Sequence, residues 1–194
     1  MTLIADRTAD TDQPVLDVFA ERWSTRIFDA EAPLDEQALA SAREAARWAP
    51  SASNTQPWRA IVARRGTAAH AKVFASLVGF NQGWAGDAGA LVVFVAETAA
   101  EDGTARPWAV YDTGQAAAYF TIQAHASGLA THQMGGFDRD GLIEAFGLDA
   151  RYQPLAVSAI GALGDPAKAD AAVLERENAP RTRRPVAESL LANQ

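Results

Sequence analysis

The 194-residue sequence contains no cysteine. That absence excludes disulfides, thiolate nucleophiles and Cys-ligated metals, and it suits a reducing compartment. Histidine is scarce too: His70, His125 and His132 are scattered, with no HxxxH pair and no acidic partner at ligand spacing, so no metal site is expected. Seventeen Lys+Arg against 24 Asp+Glu give a net charge of −7, which disfavours nonspecific nucleic-acid binding. No apolar run approaches membrane-spanning length, and MTLIADRTAD lacks the basic-then-apolar plan of a secretion signal. A soluble, cytoplasmic protein is expected. GxSxG, GxGxxG and Walker loops are missing as well, so hydrolase, Rossmann and P-loop readings lack their motifs.

What is present is 48% hydrophobic and 21% charged, the composition of one ordinary globular core. Residues 1–13 are polar and expected to be a flexible segment; 14–194 read as a single domain. Val15, Leu16, Val18, Phe19 and Trp23 recur at helical spacing after Pro14, giving a helix to about Arg22. Asp35 caps a second helix whose apolar face carries Leu39, Ala42, Ala46 and Trp48. RAIVAR, Arg59 to Arg64, predicts a strand, and a helix follows over 68–77. GFNQGWAGDAG reads as a loop. ALVVFVA, 90–96, predicts a strand buried on both faces. An alanine-rich helix spans 108–127, with small residues that let other helices approach closely, including across a subunit interface. LATHQM is a short strand, Asp138 caps a helix over 139–146, and 155–160 form the last strand. The tail after Gly161 reads as polar. The fold class is α+β, one sheet flanked by helices.

Four groups of residues could carry chemistry. The stretch APSASNTQPW, Ala49 to Trp58, sets short hydroxyl and amide side chains between two prolines, so it is either a stiff capped turn or a surface for a polar ring. In RWSTR, Arg22, Ser24 and Arg26 share one side of an extended segment, a pattern for an electron-rich acceptor or a solvated basic turn. PRTRRP gathers Arg181, Arg183 and Arg184, an anion clamp or a surface tail. Gly135-Gly136 is a turn that can bring bare backbone N–H close to a flat ligand. His125, on the alanine-rich helix, reads as a satisfied core residue.

Taken in order, RWSTRIFD, APSASNTQPW, GFNQGW, GLATHQMGGFD and PRTRRP resemble the nitroreductase family of FMN-dependent oxidoreductases, over roughly residues 15–190. The resemblance implies an α+β fold with a central mixed or antiparallel sheet, two intertwined subunits, and FMN at the homodimer interface. It implies that Arg22, Trp23, Ser24 and Arg26 bind the ribityl-phosphate and pyrimidine end, and that Arg181 and Arg183 bind the phosphate. Pro50, Ser51, Ala52, Ser53 and Asn54 match the loop that reaches the flavin from the partner subunit. Asn81 matches an amide on the pyrimidine edge, and Gly135 and Gly136 the backbone turn beside N5. Ala52 stands where the family usually has a second serine, and Gly135 where an acidic or Pro-flanked residue is common. The implied activity is ping-pong hydride transfer from NAD(P)H through the flavin to a nitroaromatic, quinone or similar small acceptor. The alternatives are a specialised flavin-dependent dehydrogenase or dehalogenase, or a non-catalytic flavin-binding protein. No catalytic side chain is demanded, because a flavin does the electron chemistry.

Overall fold

The computed structural model describes residues 6–192. Its frame is a four-stranded sheet in the order β1–β2–β4–β3, antiparallel at every junction. The strands are β1 (Trp58–Arg64), β2 (Ala90–Glu97), β3 (Ala130–Met134) and β4 (Tyr152–Gly161). All eight residues of β2 are buried. Side chains alternate along a strand, so Leu91, Val93 and Val95 enter one core while Ala90, Val92 and Phe94 enter the other. The first core is closed by α3 (Ala68–Ser76), α4 (Gly79–Ala85), α6 (Arg139–Phe146) and α7 (Ala171–Asn178), through Val73, Trp84, Leu142 and Val173. The second is closed by α2 (Glu36–Arg47) and α5 (Ala109–Ala126), through Leu39, Ala42, Ala117 and Phe120. Each fully buried Leu, Val or Phe contributes about 1.5–3 kcal/mol, which makes β2 the energetic centre.

Several boundaries follow directly from side-chain chemistry. Asp35 Oδ1 accepts from Ala38 N at 2.9 Å and Asp138 Oδ1 from Gly141 N at 3.0 Å, so both expected caps start their helices. Gly128, at φ 83°, ends α5 in a left-handed turn that closes Leu129 N onto Ala124 O at 2.9 Å.

Five expectations are corrected. GFNQGWA is helix α4 rather than loop: a Cβ at Gly79 or Gly83 would meet nothing, so both glycines face open space, while burial of Trp84 and Ala85 outweighs their weak propensity. The tail carries α7, which buries only Val173 and Glu177 and so leaves little apolar period to read. The first helix, α1, is short (Asp17–Glu21) and buries none of its residues, and Trp48 is 70% exposed rather than packed under α2. Finally, β4 runs through Pro154. The strand tolerates it because Pro154 pairs with Val95 at a register shift of β2 and lies beyond the reach of β3, which begins pairing at Val157.

Candidate functional site

Two segments far apart in sequence meet beside β3. Residues Arg22–Phe28 run extended, and Ser24 bridges Thr131 of β3 in parallel. The side chain that fixes this segment is Glu177 of α7, 2% exposed. Its Oε1 accepts from Trp23 Nε1 at 2.6 Å and its Oε2 from the backbone N–H of Arg26 at 3.0 Å. His132 of β3 adds a third tie, its Nδ1 lying 2.9 Å from Thr25 O; a carbonyl only accepts, so Nδ1 carries the hydrogen. Trp84 packs against that imidazole at 4.6 Å between centroids.

The result is a cavity of about 330 Å³ rimmed by Arg7, Arg22, Arg26, Arg176, Arg181 and Arg183, with Trp23, Ser24, His132 and Glu177. Six arginines and a single carboxylate share its lining. Burial holds the Arg22 side chain below the usual arginine range, and Arg183 pushes the same way. Arg181 is lowered by burial first, then by Arg22, Arg7 and Arg183. Arg26 is lowered by burial and by Arg176, against the opposing pull of Glu177. Such a cluster calls for an anion. Burial also pushes the His132 pKa down, so this imidazole stays neutral in the fold.

Of the residues expected from sequence, Arg22, Trp23, Ser24, Arg26, Arg181 and Arg183 all line this one cavity. Arg181 holds a particular place in it. Its guanidinium donates to Arg7 O, to Ala20 O at 2.8 Å and to Arg22 O at 2.9 Å, stitching the wall together. Arg183 is exposed and makes only a local bond to Thr182 O.

Asn81 and Gly136 touch each other: Asn81 Nδ2 donates to Gly136 O at 3.2 Å. A Cβ on Gly136 would come within 2.8 Å of Val78 Cγ2, whereas one on Gly135 would meet nothing, so the Gly135 backbone faces open space. Phe80, next to Asn81, connects this turn to the arginines; Arg176 stacks 4.1 Å from its ring centroid and Arg26 lies at 6.0 Å.

Pro50, Ser51, Ala52, Ser53 and Asn54 do not line the arginine cavity. Their loop is held by Ala52 N donating to Asp112 Oδ2 at 3.0 Å, and Ser53, Asn54 and Gln56 adopt φ of 51°, 55° and 48°. Ala52 and Ser53 instead border a separate hollow with Trp108 and Arg106. His125 is half-buried near Glu21 and Arg22 rather than in the core. Sequence reading missed Arg7, His132, Arg176 and Glu177. Arg7 and Arg176 sit in stretches without any local motif; Glu177 lies four residues before Arg181, on a helix whose pattern was not visible.

This geometry has counterparts. A protein of Mycolicibacterium smegmatis described as an uncharacterized 15.4 kDa protein is 42% identical over 132 residues, covering 64% of this chain and 88% of its own. An oxygen-insensitive NAD(P)H nitroreductase of Enterobacter cloacae is 37% identical over 90 residues, 45% of this chain and only 42% of that enzyme. A crystal structure of an oxidoreductase containing FMN superimposes with a TM-score of 0.89 at 31% identity, covering 100% of this chain and 98% of the other. The family model described as Nitroreductase family matches residues 19–79 and 67–162, and the chain accordingly belongs to the nitroreductase family.

Proposed function

We propose that this protein is an FMN-dependent oxidoreductase that uses NAD(P)H as its electron donor. The observation that carries this reading is the cavity lined by six arginines, from both ends of the chain, and a single carboxylate. A dianionic phosphate satisfies such a set, and guanidiniums bind it through paired N–H donors. The residues present fit FMN: Arg7 Nε and Arg26 Nε are buried with no hydrogen-bond partner among the described residues. Arg22, Arg26 and Arg183 would hold the phosphate while Arg181 keeps the wall in place. Asn81, with one amide hydrogen spent on Gly136 O, keeps its remaining amide groups for a polar ring edge, and the open Gly135 backbone offers an approach for a flat ring. Trp23 and Ser24 border the same space.

Bound there, FMN would supply the two-electron chemistry, taking hydride from NAD(P)H and passing it in a second half-reaction to a small acceptor, with nitroaromatics and quinones as the class. The chain's part is to bind, orient and stabilise negative charge, with Arg26 and Arg176 as the cations beside the Phe80–Asn81 turn. The Pro50–Asn54 loop lies away from the arginines of its own protomer, which supports a homodimer in which it completes the partner's site. Exposed Trp108, just before α5, and Tyr111 and Tyr119 on it, together with Trp48, give that pairing an apolar surface. No helix among the described residues is long and apolar enough to cross a membrane, and a cytoplasmic location is part of the same proposal.

Purified protein is expected to be yellow, and anaerobic NAD(P)H to bleach its flavin absorbance, with recovery on adding a nitroaromatic or quinone. Colourless protein that does not quench added FMN would overturn the assignment. Bound FMN that NAD(P)H cannot reduce would reassign the chain to flavin binding without turnover.

A further inference from the structure

We propose that Arg7, carried on the arm that precedes the first helix, is a phosphate ligand of the arginine cavity, and that the arm clasps the bound cofactor. The proposal rests on the FMN reading above. The arm and the C-terminal segment exchange bonds in both directions: Arg7 Nη1 donates to Ala179 O at 2.8 Å, and the Arg181 guanidinium donates back to Arg7 O. Ala9 N donates to Ala20 O at 2.9 Å, which fixes the arm against the start of the Arg22 segment. These bonds suffice to dock the arm, yet they use only one guanidinium nitrogen of Arg7. Arg7 lines the cavity, and its Nε is buried with no acceptor among the described residues, the same state as Arg26 Nε. A buried donor on a permanent cation is a standing penalty unless an anion arrives to take it. Two such donors, both on the N-terminal stretch, in one cavity already crowded with like charge, point to a shared anionic ligand.

The test compares FMN with riboflavin, which lacks the phosphate, by fluorescence titration of the apoprotein. Arg7→Ala is expected to raise the Kd for FMN at least about tenfold and to leave the Kd for riboflavin within about twofold. Arg7→Lys, which keeps the charge, is expected to recover much of the loss. Inorganic phosphate should compete with FMN in the wild type and compete less well in Arg7→Ala. Equal weakening of both flavins, or no change for either, would make Arg7 a docking residue only and overturn the proposal. So would an Arg7→Lys protein as weak as Arg7→Ala. Wild-type protein that binds neither flavin would defeat the FMN reading itself, and wild type that binds both equally would show that the cavity does not read phosphate.

Discussion

At the scale of single residues, Glu177 is the strongest structural dependency. Both its oxygens are committed, to Trp23 Nε1 and Arg26 N, and the residue is almost fully buried. Glu177→Ala strands two donors and releases the Arg22 segment, so we expect a loss of roughly 2–4 kcal/mol in chemical denaturation, and weaker flavin binding with it. Trp23→Phe removes one of those donors and should cost less, about 1–2 kcal/mol. The glycine pair gives a sharper contrast. Gly136→Ala forces a Cβ against Val78 and Asn81 and is expected to lower the melting temperature, whereas Gly135→Ala meets open space and should leave it unchanged. Burial lowers the pKa of His132, and of His70 and His125 as well. A histidine whose folded pKa lies below its unfolded value binds fewer protons folded than unfolded. Stability is therefore full above about pH 6.5 and is lost as pH falls below it. Denaturation midpoints measured between pH 7 and 5 should drop, with a shallower slope in His132→Gln.

At the scale of elements, the Glu97 cluster clips the 98–107 excursion to the sheet. Glu97 closes β2 with its side chain 5% exposed and takes bonds from Arg59 at 2.5 Å, Arg151 at 2.7 Å and Arg106. Glu97→Gln leaves Arg59 and Arg106 without their counter-charge and Arg151 with only exposed Glu101 and Asp149; an equilibrium loss of about 3 kcal/mol and faster hydrogen exchange at Ala99–Ala105 are expected. The elements legible in sequence were those whose pattern is set by their own residues. The apolar run of β2 and the Asp138 cap of α6 landed within a residue or two of expectation. Those that were not legible owe their form to distant contacts: α4 is a helix because Trp84 is buried, and α7 exists to place Val173 and Glu177. The site followed the same division. Arg22 and Arg26 announce themselves by spacing, while Arg7, His132 and Glu177 acquire meaning only when the chain ends meet. That Arg181 spends its donors on Arg7, Ala20 and Arg22 carbonyls was also beyond sequence reading, since carbonyls leave no trace in it.

At the scale of the whole molecule, the exposed aromatics of α5 and Trp48 bear on assembly. If they form a subunit interface that also completes the flavin site, Trp108→Asp should yield monomers in sedimentation and should loosen FMN in the same variant. A variant that is monomeric yet binds FMN normally would separate the two. The order in which the polypeptide is made also matters. The sheet is finished at Gly161, but the cavity closes only when Ala179 meets Arg7, 172 positions upstream, and Arg181 reaches back to Ala20 and Arg22. The binding pocket is therefore complete only once the C-terminal segment has been made and has met the start of the chain. A chain cut short near Asp170 loses Glu177, Arg181 and Arg183 together, so it is expected to take up no flavin.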